Sequence, residues 1–436
     1  MTVDREGEEI YSLCKQLFPI CRSLSGDGNR KTLKIIQDHI PIKLCEINSG
    51  EKIFDWIVPP EWNIDDGYVL DQEGNKIIDF KKNNLHVMGY SKPIDKFVDR
   101  EILEEHLYSI PNKNEAIPYV TSYYKKRWGF CISQNERDKI KGDKFRVVIN
   151  SKFKDEGSLS YAELLIPGKS QKEVFLSSYI CHPSMANNEC SGPAVLTYIA
   201  KYILGLKNRK YSYRIVLAPE SIGPIIYLSK NIDSLKKNTI AAFNFTCLGD
   251  NLTYSFLPSR KGNTITDRVA LNILNNEVAN YDFYPFTEKG SDERQYCHPA
   301  VDLPMVSIMR SKYGTYPEYH TSLDNLDFIS PEGLQGSYSL FKKCINVIEN
   351  NNFYKYAFPC EPMLMKRNLV PENWHKRRAG KENKKSMNFL KNMMNIICYC
   401  DGDHDLIDIS NILKVDFETC DEIIKILLKE KIIQRV

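Results

Sequence analysis

The sequence predicts an α/β protein, a mixed sheet flanked by helices, with a β-rich insertion near its start and a winged helix at its end. Three observations carry this reading. From about residue 160, short apolar runs alternate with helical stretches, the texture of strands connected by helices. Between 52 and 145 the chain changes to short β-type runs among aromatic and proline-rich loops. Beyond 387, three helical stretches precede a closing KIIQRV that suits a strand.

The elements follow in order. EEIYSLCKQLFPI (8–20) spaces apolar side chains at helical intervals, the polar cluster SLSGDGN breaks that pattern, and KTLKIIQDHI (31–40) resumes it. FDWIVPPEW, GYVLDQEGNKIIDF and KFRVVIN then read as strands and turns. YAELLIPG, EVFLSSYI, YRIVLAP, AAFNFTCL and MVSIMR read as core strands, with helices in GPAVLTYIAKYILGL and ITDRVALNILNNEVAN. These textures divide the chain into an α/β domain over 1–51 and 146–360, an inserted β-rich domain over 52–145, a basic linker over 361–386 and a winged-helix-like domain over 387–436.

Composition narrows the class. A formal charge of +3 over 436 residues gives no global basic field, which argues against nucleic acid or an anionic membrane as the main partner. Thirteen cysteines cannot all pair internally, and several sit in apolar stretches as buried thiols do, so a reducing cytoplasmic setting is expected. The first residues, MTVDREGEEIYSL, carry acids where a signal peptide needs a basic start, and no run reaches the roughly 20 apolar residues of a membrane span.

The loops after the predicted core strands hold the chemistry, as expected at the carboxyl ends of an α/β sheet. His182 follows EVFLSSYI and stands either as a metal ligand or as a structural hydrogen-bonding residue. Glu220 ends RIVLAPE, where it can act as a general base or stabilise a helix N-terminus. His320 lies in YHTSLDN, and Asp324 four residues on can fix the tautomer of a ligating imidazole or cap a turn. Tyr119, Tyr123, Tyr124 and Trp128 could line a cleft, but a core or interface cluster is the preferred reading.

CHPS, a small-residue loop ending in SG, PES, GSDERQ and YHTSLDN occur here in an order that resembles a known family. So do LFPICRSLSGDGNRKTL, DWIVPPEW and IPYVTSYYKKRWGFC. The chain is similar, over nearly its whole length, to the uncharacterised aminopeptidase-like family of bacterial polysaccharide gene clusters, a branch of the di-zinc aminopeptidase superfamily. The resemblance implies a zinc-exopeptidase-like fold with metal ligands at His182, position 188 and His320, and Glu220 as the base. It also implies that Asp292 and Arg294 line the substrate pocket, and that Arg22 holds a substrate carboxylate or organises the site.

The sequence departs from that family in NNECSG, where the usual NDNLSG has an aspartate ligand and this chain has Asn188. An amide oxygen attracts a cation less than a carboxylate does, so zinc affinity should fall unless Glu189 takes over. Ser221 and Thr246 stand where the superfamily has further carboxylates, so one zinc at most is expected. The implied activity is hydrolysis of an amide, at a peptide N-terminus or on a modified sugar. The alternative is an impaired exopeptidase fold that serves as a binding or assembly module. For the winged helix, Asp416, Glu418, Asp421 and Glu422 argue against nucleic acid and for protein contact or homo-oligomerisation.

Overall fold

The computed structural model describes residues 5–370 and 384–436. Half of the expected basic linker, including Lys376, Arg377 and Arg378, lies outside the described residues. The chain divides into two compact units: Met1–Asp267 with Asn280–Phe341, and Arg268–Ala279 with Lys342–Val436.

The first unit is built on an eight-stranded sheet. Its strands are β1 (Lys43–Asn48), β2 (Ser158–Ile166), β3 (Glu173–Tyr179), β4 (Ser212–Ala218), β5 (Thr239–Phe245), β6 (Ser255–Leu257), β7 (Asp282–Phe283) and β8 (Met305–Met309). Their order is β1–β2–β4–β3–β5–β8–β6–β7. The central strands β4, β3, β5 and β8 run parallel, whereas β1, β2 and β6 join antiparallel, so the sheet is mixed. Every residue of β3 is buried, as expected of a parallel strand covered on both faces.

Two helices deliver loops to the carboxyl ends of these strands. Helix α1 (Ser191–Gly205) follows β3, and α2 (Ile222–Asn238) follows β4. Gly192 in the first turn of α1 explains the SG pair: a β-carbon there would stand 2.5 Å from the Phe245 carbonyl oxygen and 2.7 Å from Ser178 Oγ. Only glycine lets the helix start that close to β5 and β3.

A four-stranded antiparallel sheet of Lys76–Asp79, Glu61–Leu70, Lys144–Lys154 and Ile94–Asp99, in that order, has its own core, including Val69, Ile78, Trp128, Phe145 and Val147. Strand Lys144–Lys154 pairs along its length with Glu61–Leu70, so the β-rich run extends past the expected end at 145. Its ion-paired anchor is Glu61, which accepts from Arg30 Nη2 at 2.6 Å and from the Ser158 amide at 3.0 Å.

The second unit contains helices Lys384–Cys398, Leu406–Leu413 and Phe417–Lys429 and a three-stranded sheet. Asp405 and Asp416 cap the last two helices, accepting from the Asp408 and Thr419 amides. The middle strand of the sheet is Phe353–Tyr356, between Asp401–Asp405 and Ile433–Arg435. Sequence reading placed 353–356 in the α/β domain, because four residues directly after a long helix carry too little periodicity to show a strand. No helix among the described residues is long and apolar enough to cross a membrane.

Candidate active site

β3 ends at Tyr179 and turns through Cys181 and His182, and β4 ends one residue before Pro219 and Glu220. Parallel neighbours thereby bring His182 and Glu220 together, with His182 Nε2 3.7 Å from Glu220 Oε2. His320 arrives from a loop 100 residues further on. Its ring centroid lies 5.1 Å from that of His182. All three line a cavity of about 440 Å³.

Glu189 orients His182. It lies in the π-helical turn Ala186–Cys190, and its Oε2 accepts from His182 Nδ1 at 3.0 Å, from the His182 amide at 2.7 Å and from the Cys181 amide. Its Oε1 accepts from Arg22 Nε at 2.7 Å, a pair with both side chains 1% exposed. Burial disfavours a charged His182 ring, but the hydrogen bond and charge of Glu189 outweigh it and raise the pKa above its ordinary value. With Nδ1 donating to Glu189, Nε2 faces Glu220 and the cavity. Cys181, His182 and Glu189 offer three ligand atoms within 4.8 Å, but Glu189 is saturated by these donors and burial keeps the Cys181 thiol protonated. That cluster is a hydrogen-bonded support and not a cation site.

Arg22 is 2% exposed; its Nε is shared between Glu189 and the His182 carbonyl, while Nη1 donates to the Leu17 carbonyl and Nη2 to Cys190 Sγ. A substrate carboxylate therefore has no access to it. Of its two expected roles, only organising the site fits.

Asn188 departs from expectation. Its side-chain oxygen accepts from the Tyr179 hydroxyl at 2.6 Å, and the same hydroxyl stands 2.5 Å from Thr246 Oγ1. Asn188 is buried, and its side-chain oxygen is engaged by Tyr179 and does not line the cavity. Two of the three positions where an expected carboxylate is missing, 188 and 246, are thus tied together by a tyrosine hydroxyl.

Asp324 also differs. It accepts from the amides of Ala186, Asn187 and Asn188 and from the Tyr316 hydroxyl at 3.1 Å, holding the 186–188 turn and not the His320 tautomer. Burial raises its pKa to about 6 against those four donors. His320 instead has a buried Nε2 without a hydrogen-bond partner. Burial, then the neighbouring His182, lower its pKa to about 3, so it is neutral and offers a free lone pair. His320 has φ +54°, a left-handed conformation uncommon outside glycine. The chain at 117–119 secures it: the Tyr119 amide donates to the His320 carbonyl at 2.9 Å, and the Ser322 amide to the Ile117 carbonyl at 2.9 Å.

Glu220 has a 22% exposed side chain, and burial raises its pKa. Asp292 is buried off the cavity and accepts from the Ser221 amide at 2.8 Å, while Arg294 donates to Ser221 Oγ at 2.7 Å. Both were expected to line the pocket; they instead brace the turn at Ser221, whose φ is +64°. Burial and the adjacent Glu220 push the Asp292 carboxyl well above the usual range.

The aromatic group also corrects expectation. Tyr119, Tyr123 and Tyr124 line the cavity, joined by Trp56, whereas Trp128 is buried in the core of the four-stranded sheet. Sequence reasoning missed Trp56; an aromatic between charged and β-type residues in FDWIV was its only signal.

The deciding comparison is with a family described as a domain of unknown function, DUF4910, whose profile matches residues 11–351. The chain belongs to this family. A winged helix-turn-helix profile matches 352–435. The DUF4910 chain is 47% identical over 367 residues, 83% of each chain, to a Clostridium acetobutylicum protein named for polysaccharide biosynthesis with an aminopeptidase-like domain. It also matches the crystal structure of a protein from that organism, named as a peptidase, at 40% identity and TM-score 0.92, covering 99% of this chain and 97% of that one. A zinc aminopeptidase from Bacillus subtilis shares the fold at 13% identity and TM-score 0.56, over 78% of this chain and 94% of that one. A peptidase M28 precursor from Shewanella amazonensis does so at 13% identity and TM-score 0.57, over 82% and 97%. The DUF4910 region thus has an aminopeptidase-like fold.

Proposed function

We propose that this chain is a zinc-dependent amide hydrolase that uses one metal ion and acts on a peptide N-terminus or on an amide of a modified sugar. The observation that carries this is the buried, unpartnered Nε2 of His320 beside the outward Nε2 of His182 and the Glu220 carboxylate. The His182 and His320 imidazoles, facing one cavity, are a donor pair that suits a single zinc ion. When bound, zinc would be held by His182 and His320 and would supply a Lewis acid for the amide carbonyl. Glu189 fixes the His182 tautomer, and Arg22 fixes Glu189. Glu220, with its raised pKa, takes a proton from water and returns one to the departing amine. The zinc aminopeptidase fold relatives support the chemistry, and the name of the Clostridium protein supports a sugar setting.

A second reading, a binding or assembly module without turnover, is favoured by one observation, the locked Asn188–Tyr179–Thr246 network. Release of amine from aminoacyl and N-acyl sugar amides, with and without zinc, separates the readings. Glu220→Gln should lower turnover by about 10²–10⁴-fold while leaving ligand binding. Binding without turnover by the zinc-loaded wild type would favour the module.

For the winged unit we read protein contact or self-association in place of nucleic-acid binding, because Phe417–Lys429 opens among Asp416, Glu418, Asp421 and Glu422. Thirteen cysteines, all free, support a reducing cytoplasmic setting.

A further inference from the structure

The cavity itself discriminates between the two substrate classes. A peptide N-terminus brings an α-ammonium, which needs an anionic partner besides the general base. Among the described residues, Glu220 is the only carboxylate lining the cavity. Glu189 is closed by Arg22 and His182, and Asp292 lies off the cavity under Ser221. No anionic group is left for the ammonium once Glu220 acts as base.

The walls are dense in hydroxyls and flat rings. Tyr119, Tyr123, Tyr124, Thr121 and Ser221 all line the cavity, and the Tyr119 and Tyr123 hydroxyls lie 2.8 Å apart, able to share donors and acceptors with a ligand hydroxyl. At the rim, Trp56 and Tyr124 remain 41% and 51% exposed, with ring centroids 5.9 Å apart at 62°. Exposed aromatic pairs beside a buried reactive centre present apolar faces that a pyranose ring can cover. Directly after Tyr124 come Lys125, Lys126 and Arg127, all exposed and without an ion-pair partner among the described residues. They are the three residues next to Tyr124 in the chain. The floor is thus acidic at Glu220, and a cationic segment follows the aromatic rim.

We propose that the cavity takes an N-acylated amino sugar bearing an anionic substituent. Its ring lies against Trp56 and Tyr124, its N-acyl group reaches His182, His320 and Glu220, and its anion meets Lys125–Arg127. The reaction rests on the hydrolase reading above: water adds its oxygen to the acyl carbon, the C–N bond breaks, and the amine takes a proton. A carboxylate and a free amino sugar leave.

Calorimetric titration of Glu220→Gln with an N-acetylhexosamine phosphate, the unphosphorylated sugar and leucinamide tests this. The sugar phosphate should bind at least about tenfold tighter than leucinamide, and Trp56→Ala or Tyr124→Ala should each weaken it by roughly 3–10-fold. Lys125→Glu with Arg127→Glu should remove the preference for the phosphorylated sugar. Tighter binding of leucinamide, or sugar-phosphate binding indifferent to both aromatic variants, overturns the proposal. Binding as expected by Glu220→Gln, with no acetate released by the zinc-loaded wild type, would uphold the ligand assignment and remove the hydrolase reading instead.

Discussion

Replacing Arg22 by methionine keeps much of the side-chain volume but leaves the Glu189 carboxylate without its cation. The pair is 2.7 Å apart with both side chains 1% exposed. At an effective dielectric of about 20, two charges at that separation attract by about 6 kcal/mol. Part of this is offset, because Glu189 keeps its hydrogen bonds to two amides and to His182 Nδ1. Stranding one partner of a buried pair typically costs about 3–5 kcal/mol, and Arg22→Met should fall in that range. Glu189→Gln removes the charge but keeps the shape, so adding it to Arg22→Met should recover about 2 kcal/mol. Urea unfolding followed by tryptophan fluorescence reads this well, since three of the four tryptophans, Trp56, Trp62 and Trp128, lie in the α/β unit. A loss below about 1 kcal/mol for Arg22→Met, or strict additivity in the double variant, would refute the claim that this pair holds the site together.

Other predictions concern the frame and the metal. Gly192→Ala should cost about 1–3 kcal/mol in urea unfolding, because its new β-carbon meets the Phe245 carbonyl, whereas Gly205→Ala, with open space around it, should be nearly neutral. Acid should weaken the four-stranded sheet: Arg30 first, then the Ser158 amide, against the opposing cost of burial, lower Glu61 to about 2 from its ordinary 4.5. A depressed carboxylate gives stability that is present above the unfolded pKa and lost as pH falls toward the folded one. Between about pH 5 and pH 2 this amounts to about 2 kcal/mol after solvent screening of Arg30, and Arg30→Met should flatten that slope in pH-dependent unfolding. Elemental analysis should find about one zinc per chain, unchanged in Asn188→Asp and reduced in His320→Ala; about two in Asn188→Asp would show that Tyr179 does not hold that position closed.

The core of the fold was legible because EVFLSSYI, AAFNFTCL and their neighbours are near-continuous apolar runs, which only strands buried on both faces require. The placement of His182 and Glu220 at the mouth of the sheet followed from their position just after such runs. Partnerships were not legible. Asp324 sits four residues from His320, yet its acceptors point to the amides of 186–188, because the turn there has more unsatisfied donors than the imidazole. Arg22 and Glu189 are 167 residues apart, and no local pattern joins them. Trp56 and the tyrosines read as core for the same reason: aromatic composition is the same on a cavity wall and inside a domain, and only the path of the chain distinguishes them.

The 117–119 segment that grips His320 has a consequence for the history of the chain. In linear order the β-rich insertion resembles an accessory that could be exchanged between relatives like a cassette. It is nevertheless the anchor for the unusual backbone of His320 and the source of three cavity tyrosines. Exchange of the insertion would therefore alter selectivity and dislocate a reactive imidazole in one event. Substitutions at its rim, at Trp56 or Tyr124, would instead change the cavity wall and leave that anchor untouched.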